Sequence, residues 1–153
     1  MSRRARFRER LEEAGLVHVA PRPLAAHLVG RGRFVALTRL LFDTLEAGDV
    51  RAQTSSLTLY QLLAEPYRRG REEEAGQAAD YLGAVRGLEL VPVSAELARQ
   101  AARVRARLGG RTERAIQIAT ALEAGAELYV DEDSGLRRIA GMRVLDLEDY
   151  AGE

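Results

Sequence analysis

The sequence predicts an α/β domain: a mostly parallel sheet of about five strands with helices on both faces. Three observations carry this. Short apolar runs of strand length alternate along the chain with longer segments whose apolar residues recur at helical spacing. Glycine, proline and serine or threonine punctuate the joins between them. A chain of 153 residues, 46% of them hydrophobic, is long enough to bury one core between such layers.

Taken in order, residues 1–14 are rich in arginine and glutamate and read as a basic extension, frayed or helical, ahead of a domain over 15–150. Residues 16–19 (Leu-Val-His-Val) form a first strand that stops at Pro21 and Pro23. Phe34, Leu37, Leu41 and Leu45 mark a helix, with Gly48 as its C-terminal cap. Residues 50–53 read as a second strand, and Thr54, Ser55 and Ser56 cap a helix carrying Leu59, Leu62 and Leu63. Pro66 and Gly70 close it, and residues 72–85 form another helix. Residues 88–91 alternate as a third strand ended by Pro92. Ser94 caps a helix with Leu97, Ala101, Val104 and Leu108, ended by Gly109 and Gly110. Thr112 caps the next, whose inner face is Ala115, Ile118, Ala119 and Leu122. Residues 128–130 and 143–147 complete the sheet.

Composition removes several chemistries. There is no cysteine, so disulfides, thiolate metal sites and cysteine nucleophiles are excluded. Only His18 and His27 are present, which excludes a multi-histidine metal centre. Every basic residue is arginine, so no lysine general base, Schiff base or P-loop lysine exists. Twenty-three basic residues balance 23 acidic ones, and no global field draws the chain to nucleic acid or membrane. No apolar run approaches the roughly 18 residues of a membrane span. The opening MSRRARFRERLEEAG has no apolar stretch behind it, so no signal peptide is expected and the chain is expected to be cytoplasmic.

In parallel α/β sheets the ligand crevice lies beyond the carboxyl ends of the strands. Those ends carry Ala20-Pro21-Arg22, Gln53-Thr54-Ser55 and Asp131-Glu132-Asp133. The stretch SSLTLYQLL, followed by VPVSAELARQAARVRARLGGRTERAIQIATALEAGAELYVDEDSGLRRIAGMRVLDL, resembles the PIN domains of VapC-like toxin ribonucleases. The resemblance runs from about Val17 to Leu147 and implies a three-layer fold and cleavage of single-stranded RNA with Mg²⁺ or Mn²⁺. It also implies about four carboxylates at the strand ends, a homodimer, and an antitoxin or RNA as partner. Hard divalent ions want clustered oxygen ligands carrying negative charge.

Transferred position by position, that acid cluster is mostly missing. Ala20 stands where the first strand should end in aspartate, Gln61 where a helix should carry glutamate, and Arg114 where the next should carry aspartate. Asp133 keeps the family position. The expectation is therefore a binding or assembly protein without a working metal site or cofactor, its old mouth holding an Arg114–acid pair. Gln61 is expected to bond Arg114 or the backbone. If a metal does bind, Asp133 and Asp131 are its ligands, and the chain is a live Mg²⁺- or Mn²⁺-dependent endoribonuclease. A third reading has Arg22 and Arg114 holding a phosphate or nucleic acid, since helix starts favour anions. His18 is expected in the core, Tyr60 and Tyr129 in the core or an interface, and Arg99, Arg103 and Arg107 on a solvated helix face.

Overall fold

The computed structural model describes residues 1–152. Within them lie strands β1 (Val17–Val19), β2 (Ala52–Ser55), β3 (Leu88–Val91), β4 (Leu128–Asp131), β5 (Arg138–Ile139) and β6 (Met142–Asp146). They form one sheet in the order β3-β2-β1-β4-β6-β5. All neighbours are parallel except β5 on β6. The sheet thus has six strands rather than five. The extra one is two residues long, too short for alternation to register in sequence, and turns through Ala140 and Gly141, both at positive φ.

The helices are α1 (Arg3–Glu13), α2 (Pro21–Val29), α3 (Val35–Ala47), α4 (Leu57–Arg68), α5 (Glu72–Ala84), α6 (Ala95–Leu108) and α7 (Thr112–Glu123), with a 3₁₀ turn over Leu147–Tyr150. Helix α2 is not apparent from the sequence pattern. Pro21 both ends the strand and occupies the first helical position, where a missing N–H costs nothing. Gly30, at φ 74°, closes the helix in the left-handed conformation. Ser94 caps α6 by accepting from the Leu97 N–H at 3.1 Å. Thr112 does not cap α7: it is the first helical residue, and the cap position is Arg111 with no side-chain bond.

Residues 1–14 are not a frayed tail. Ser2 caps α1 by accepting from the Ala5 N–H, and the i, i+4 pair Phe7 and Leu11 is fully buried in the principal core. The helix packs on α3 and on the 3₁₀ turn, with the Phe7 and Tyr150 ring centroids 5.6 Å apart. Arg3 Nη1 donates to the Ala151 carbonyl at 2.6 Å.

The sheet sits between two apolar layers, as its near-continuous burial requires. Val17, Val19, Leu128, Val130 and Leu145 face α1, α2 and α3 through Phe7, Leu24 and Leu41. On the other face Tyr129 and Val144 meet Ile118 and Ala121 of α7, and α6 packs outside α7 through Leu97, Ala101 and Ala119. Tyr60, expected in the core or an interface, is not in the core: it is 69% exposed on α4. Among the described residues no helix is long and apolar enough to cross a membrane.

Candidate functional site

The strand C-termini open between the starts of α2, α4 and α7. Beneath them, on the α7 side, parallel pairing puts Gln53, His18, Tyr129 and Val144 in one row across β2, β1, β4 and β6. Two of the four are polar and almost completely buried, so their hydrogen bonds must be met internally. Helix α7 meets them with Gln117 and the Thr120 carbonyl, and α4 adds Thr58 and Gln61.

One fixed acceptor sets the sense of the whole network. The Thr120 carbonyl takes a hydrogen from Gln53 Nε2 at 3.2 Å, and the same amide nitrogen donates to His18 Nδ1 at 3.0 Å. The imidazole proton therefore resides on Nε2, which donates to Gln117 Oε1 at 2.9 Å. Gln117 Nε2 then donates to Thr58 Oγ1 at 2.8 Å and to Gln61 Oε1 at 3.0 Å. Thr58 passes its hydroxyl hydrogen to Thr54 at 2.7 Å, and Thr54 donates to the Val19 carbonyl at 2.7 Å. The tyrosine ring of Tyr129 stacks on His18 with centroids 5.2 Å apart. Burial pushes the His18 imidazolium pKa down to about 4, against a smaller upward pull from Gln117, so the ring is neutral at pH 7.

Above this layer lie the charges of the mouth. Ala20 is buried, and its N–H donates to the Val130 carbonyl at 2.9 Å as it leads into α2. Arg22, in the first turn of α2, pairs with Glu132 at 2.7 Å. Asp131, at the end of β4, accepts from the Glu132 N–H at 2.8 Å. Burial raises the Asp131 carboxyl above the usual carboxylate range. Asp146 adds to the rise, and the Glu132 N–H, Arg114 and Arg22 oppose it. Arg114, in the first turn of α7, acts on both Asp131 and Tyr129 through its field, yet makes no ion pair within 4 Å among the described residues. Its Nη2 is sealed from solvent and has no hydrogen-bond partner among them.

The structure thus brings Ala20, Arg22, Asp131 and Arg114 to one mouth and ties Gln61 to it through Gln117 rather than through Arg114 or the backbone. Asp133 makes no hydrogen bond or ion pair with that set among the described residues. It is exposed and borders a groove with Arg10 and Asp146. The turn before Leu136 is held instead by Ser134, which accepts from the Leu136 N–H, and by Asp146, which accepts from the Ser134 hydroxyl and the Gly135 N–H. The expected Arg114–acid pair is present as a field rather than a contact, while Arg22–Glu132 is the direct ion pair. Arg22 is 66% exposed, so Arg22→Gln is expected to change stability by less than about 1 kcal/mol, read as a urea midpoint shift. A larger loss would place the pair in the folding framework.

Gln117 is the residue that sequence reading passed over, and Gln53, named there only as part of a strand end, was given no role. Gln117 lies three residues after Arg114 and four before Ala121, on the face that α7 buries, and this spacing was the available signal. Among the described residues no three histidine, cysteine, aspartate or glutamate side chains converge as a metal-binding group.

A family model for the PIN domain matches residues 36–142, well over half of the chain. A search of curated sequences finds no match. Among solved structures the fold is similar to the VapBC2 complex of Rickettsia felis bound to a promoter DNA fragment. That match has TM-score 0.65 and 14% identity and covers 86% of this chain and 98% of that one. The sarcin–ricin-loop-cleaving toxin VapC20 of Mycobacterium tuberculosis matches at TM-score 0.59 and 21% identity, over 74% and 86% of the two chains. A toxin–antitoxin complex from Klebsiella pneumoniae matches at TM-score 0.59 and 17% identity, over 86% and 97%. Identities this low speak to the fold alone. Together with the family match, they make this chain a member of the PIN domain family.

Proposed function

We propose that this chain is a PIN domain, related to the VapC toxin ribonucleases, that acts by binding a partner and does not cleave RNA with a divalent metal. The observation that carries the reading is the hydrogen-bond commitment of Gln61. Its carbonyl oxygen, the one metal-capable atom at that position, already accepts from Gln117 at 3.0 Å. Ala20 contributes no oxygen ligand from its side chain, and Arg114 brings a guanidinium against Asp131. A hard cation needs several anionic oxygens, and a fixed positive charge in the same mouth opposes it. The donor set therefore does not fit Mg²⁺ or Mn²⁺. An antitoxin-like protein is the partner this reading favours, because two of the similar structures are toxin–antitoxin complexes.

The test is cleavage of a labelled single-stranded RNA with Mn²⁺ by the native chain and by Asp133→Asn, alongside melting with Mn²⁺ or chelator. The expected result is no cleavage and no shift in Tm. A metal bound at 100 times its Kd would add about 2.7 kcal/mol of stability, which melting would detect. Cleavage lost in Asp133→Asn overturns the reading in favour of an endoribonuclease built on Asp131 and Asp133. A second reading, an oxyanion held by Arg22 and Arg114, is favoured by the partnerless Arg114 Nη2. Glu132, which already engages Arg22, stands against it.

A further inference from the structure

We propose that Arg10, Arg138 and Arg143 form an oxyanion site for a single phosphate group, on the sheet face covered by α1 and apart from the strand-end mouth. The register of the β5–β6 hairpin places Arg138 directly opposite Arg143. Directly opposed side chains on antiparallel strands share a face, and like charges so placed destabilise the pair. That face can be identified. Leu128, beside Arg143 on β4, and Leu145, two residues further along β6, both enter the core on the α1 side. Arg10, in the last turn of α1, lies on the same side, its Nη1 donating to the Tyr150 hydroxyl at 3.3 Å.

All three arginines border both of two adjoining grooves of about 580 and 770 Å³. Among the described residues none of the three has a carboxylate within 4 Å, although eight other ion pairs form on this molecule. The groove walls also carry Glu13, Glu127, Asp133, Asp146 and Asp149. Glu127 is engaged by the Gly15 N–H at 3.0 Å, and Asp146 by Ser134 and Gly135. Arg10 is bonded to the Tyr150 hydroxyl and Arg138 Nη1 to the Gly141 carbonyl at 3.2 Å, but neither bond neutralises a guanidinium. The carboxylates of the walls oppose a long polyanion lying along the grooves, so the three positive charges leave a place only for one compact anion between them. The planar guanidinium fork matches the oxygens of phosphate in bidentate fashion. Free phosphate and the terminal phosphate of a nucleic acid share that chemistry.

Calorimetric titration of the full chain with inorganic phosphate, and with a short single-stranded RNA carrying either a 5′-phosphate or a 5′-hydroxyl, separates the two sources. Binding of inorganic phosphate, or of the 5′-phosphorylated RNA in preference to its hydroxyl form, is expected. Arg143→Gln and Arg138→Gln are each expected to weaken it at least tenfold, and Arg99→Gln on α6 to leave it unchanged. Circular dichroism confirms that the variants fold, and Arg138, exposed on the edge strand, is the safer substitution. No binding in either arm overturns the proposal. So does binding untouched by both substitutions, or RNA binding that ignores the 5′-phosphate while inorganic phosphate fails to bind. None of these outcomes depends on whether the strand-end mouth cleaves RNA.

Discussion

Phe7→Ala is expected to lower the unfolding free energy by about 3–5 kcal/mol, the usual cost of emptying a buried aromatic site. Phe7 has no exposed surface, lies in the principal core and meets Tyr150 at 5.6 Å in a tilted ring pair. Such pairs add about 0.5–1.5 kcal/mol beyond the burial itself. Domains have only about 5–15 kcal/mol to lose, so the variant should unfold at a markedly lower urea midpoint with its cooperativity intact. The prediction is sharp because α1 offers few other anchors. Phe7 and Leu11 are its only buried residues, and the remaining contacts are bonds at exposed or half-buried positions. A loss below about 1 kcal/mol would mean that residues 1–14 are a detachable extension after all.

The second large effect is a loss of stability in acid caused by one imidazole. His18 has a folded pKa of about 4 against 6.5 for the ordinary side chain. The unfolded chain therefore binds more protons between those values, and stability rises with pH through that window. The contribution is complete above pH 6.5, falls as the pH drops, and is lost by about pH 4. A displacement of this size corresponds to about 3 kcal/mol. The main cause is burial, which disfavours the charged ring; in addition, a proton on Nδ1 would face the Gln53 N–H that now points at it. Stability measured by urea denaturation from pH 7 to 4 should fall accordingly, and His18→Gln should flatten the profile. Proton NMR should show the ring neutral at pH 5. An imidazole titrating near its ordinary value would sink the prediction.

Elements with strong local patterning were readable from sequence, and those dependent on register were not. Helices α6 and α7 show long apolar stripes between serine or threonine and glycine, and β1 and β4 are short apolar runs, so all four were found. Helix α2 was hidden because Pro21 signals a strand end and a helix start equally well. The packing of α1 escaped notice because two apolar residues carry it within eleven that are otherwise mostly charged. At the site, Ala20, Arg22, Asp131 and Arg114 could be assigned to one mouth in advance because strand ends and helix starts converge at one edge of a parallel sheet. Gln53 and Gln117 became visible only when pairing aligned β2 with β1 and laid α7 across them. Asp133 follows the end of β4 by two residues, and only the path of the turn could show that it is exposed on a groove shared with Arg10 and Asp146.

The seating of α1 also has a consequence for synthesis of the chain on the ribosome. Its ring partner Tyr150 and its carbonyl acceptor on Ala151 lie at the far end of the sequence. At about 5–20 residues per second, the first helix emerges roughly 7–30 s before those partners do. During that interval Phe7 and Leu11 lack the Tyr150 side of their pocket. The 3₁₀ turn over Leu147–Tyr150, made after the rest of the sheet, thus completes the seat of the first helix.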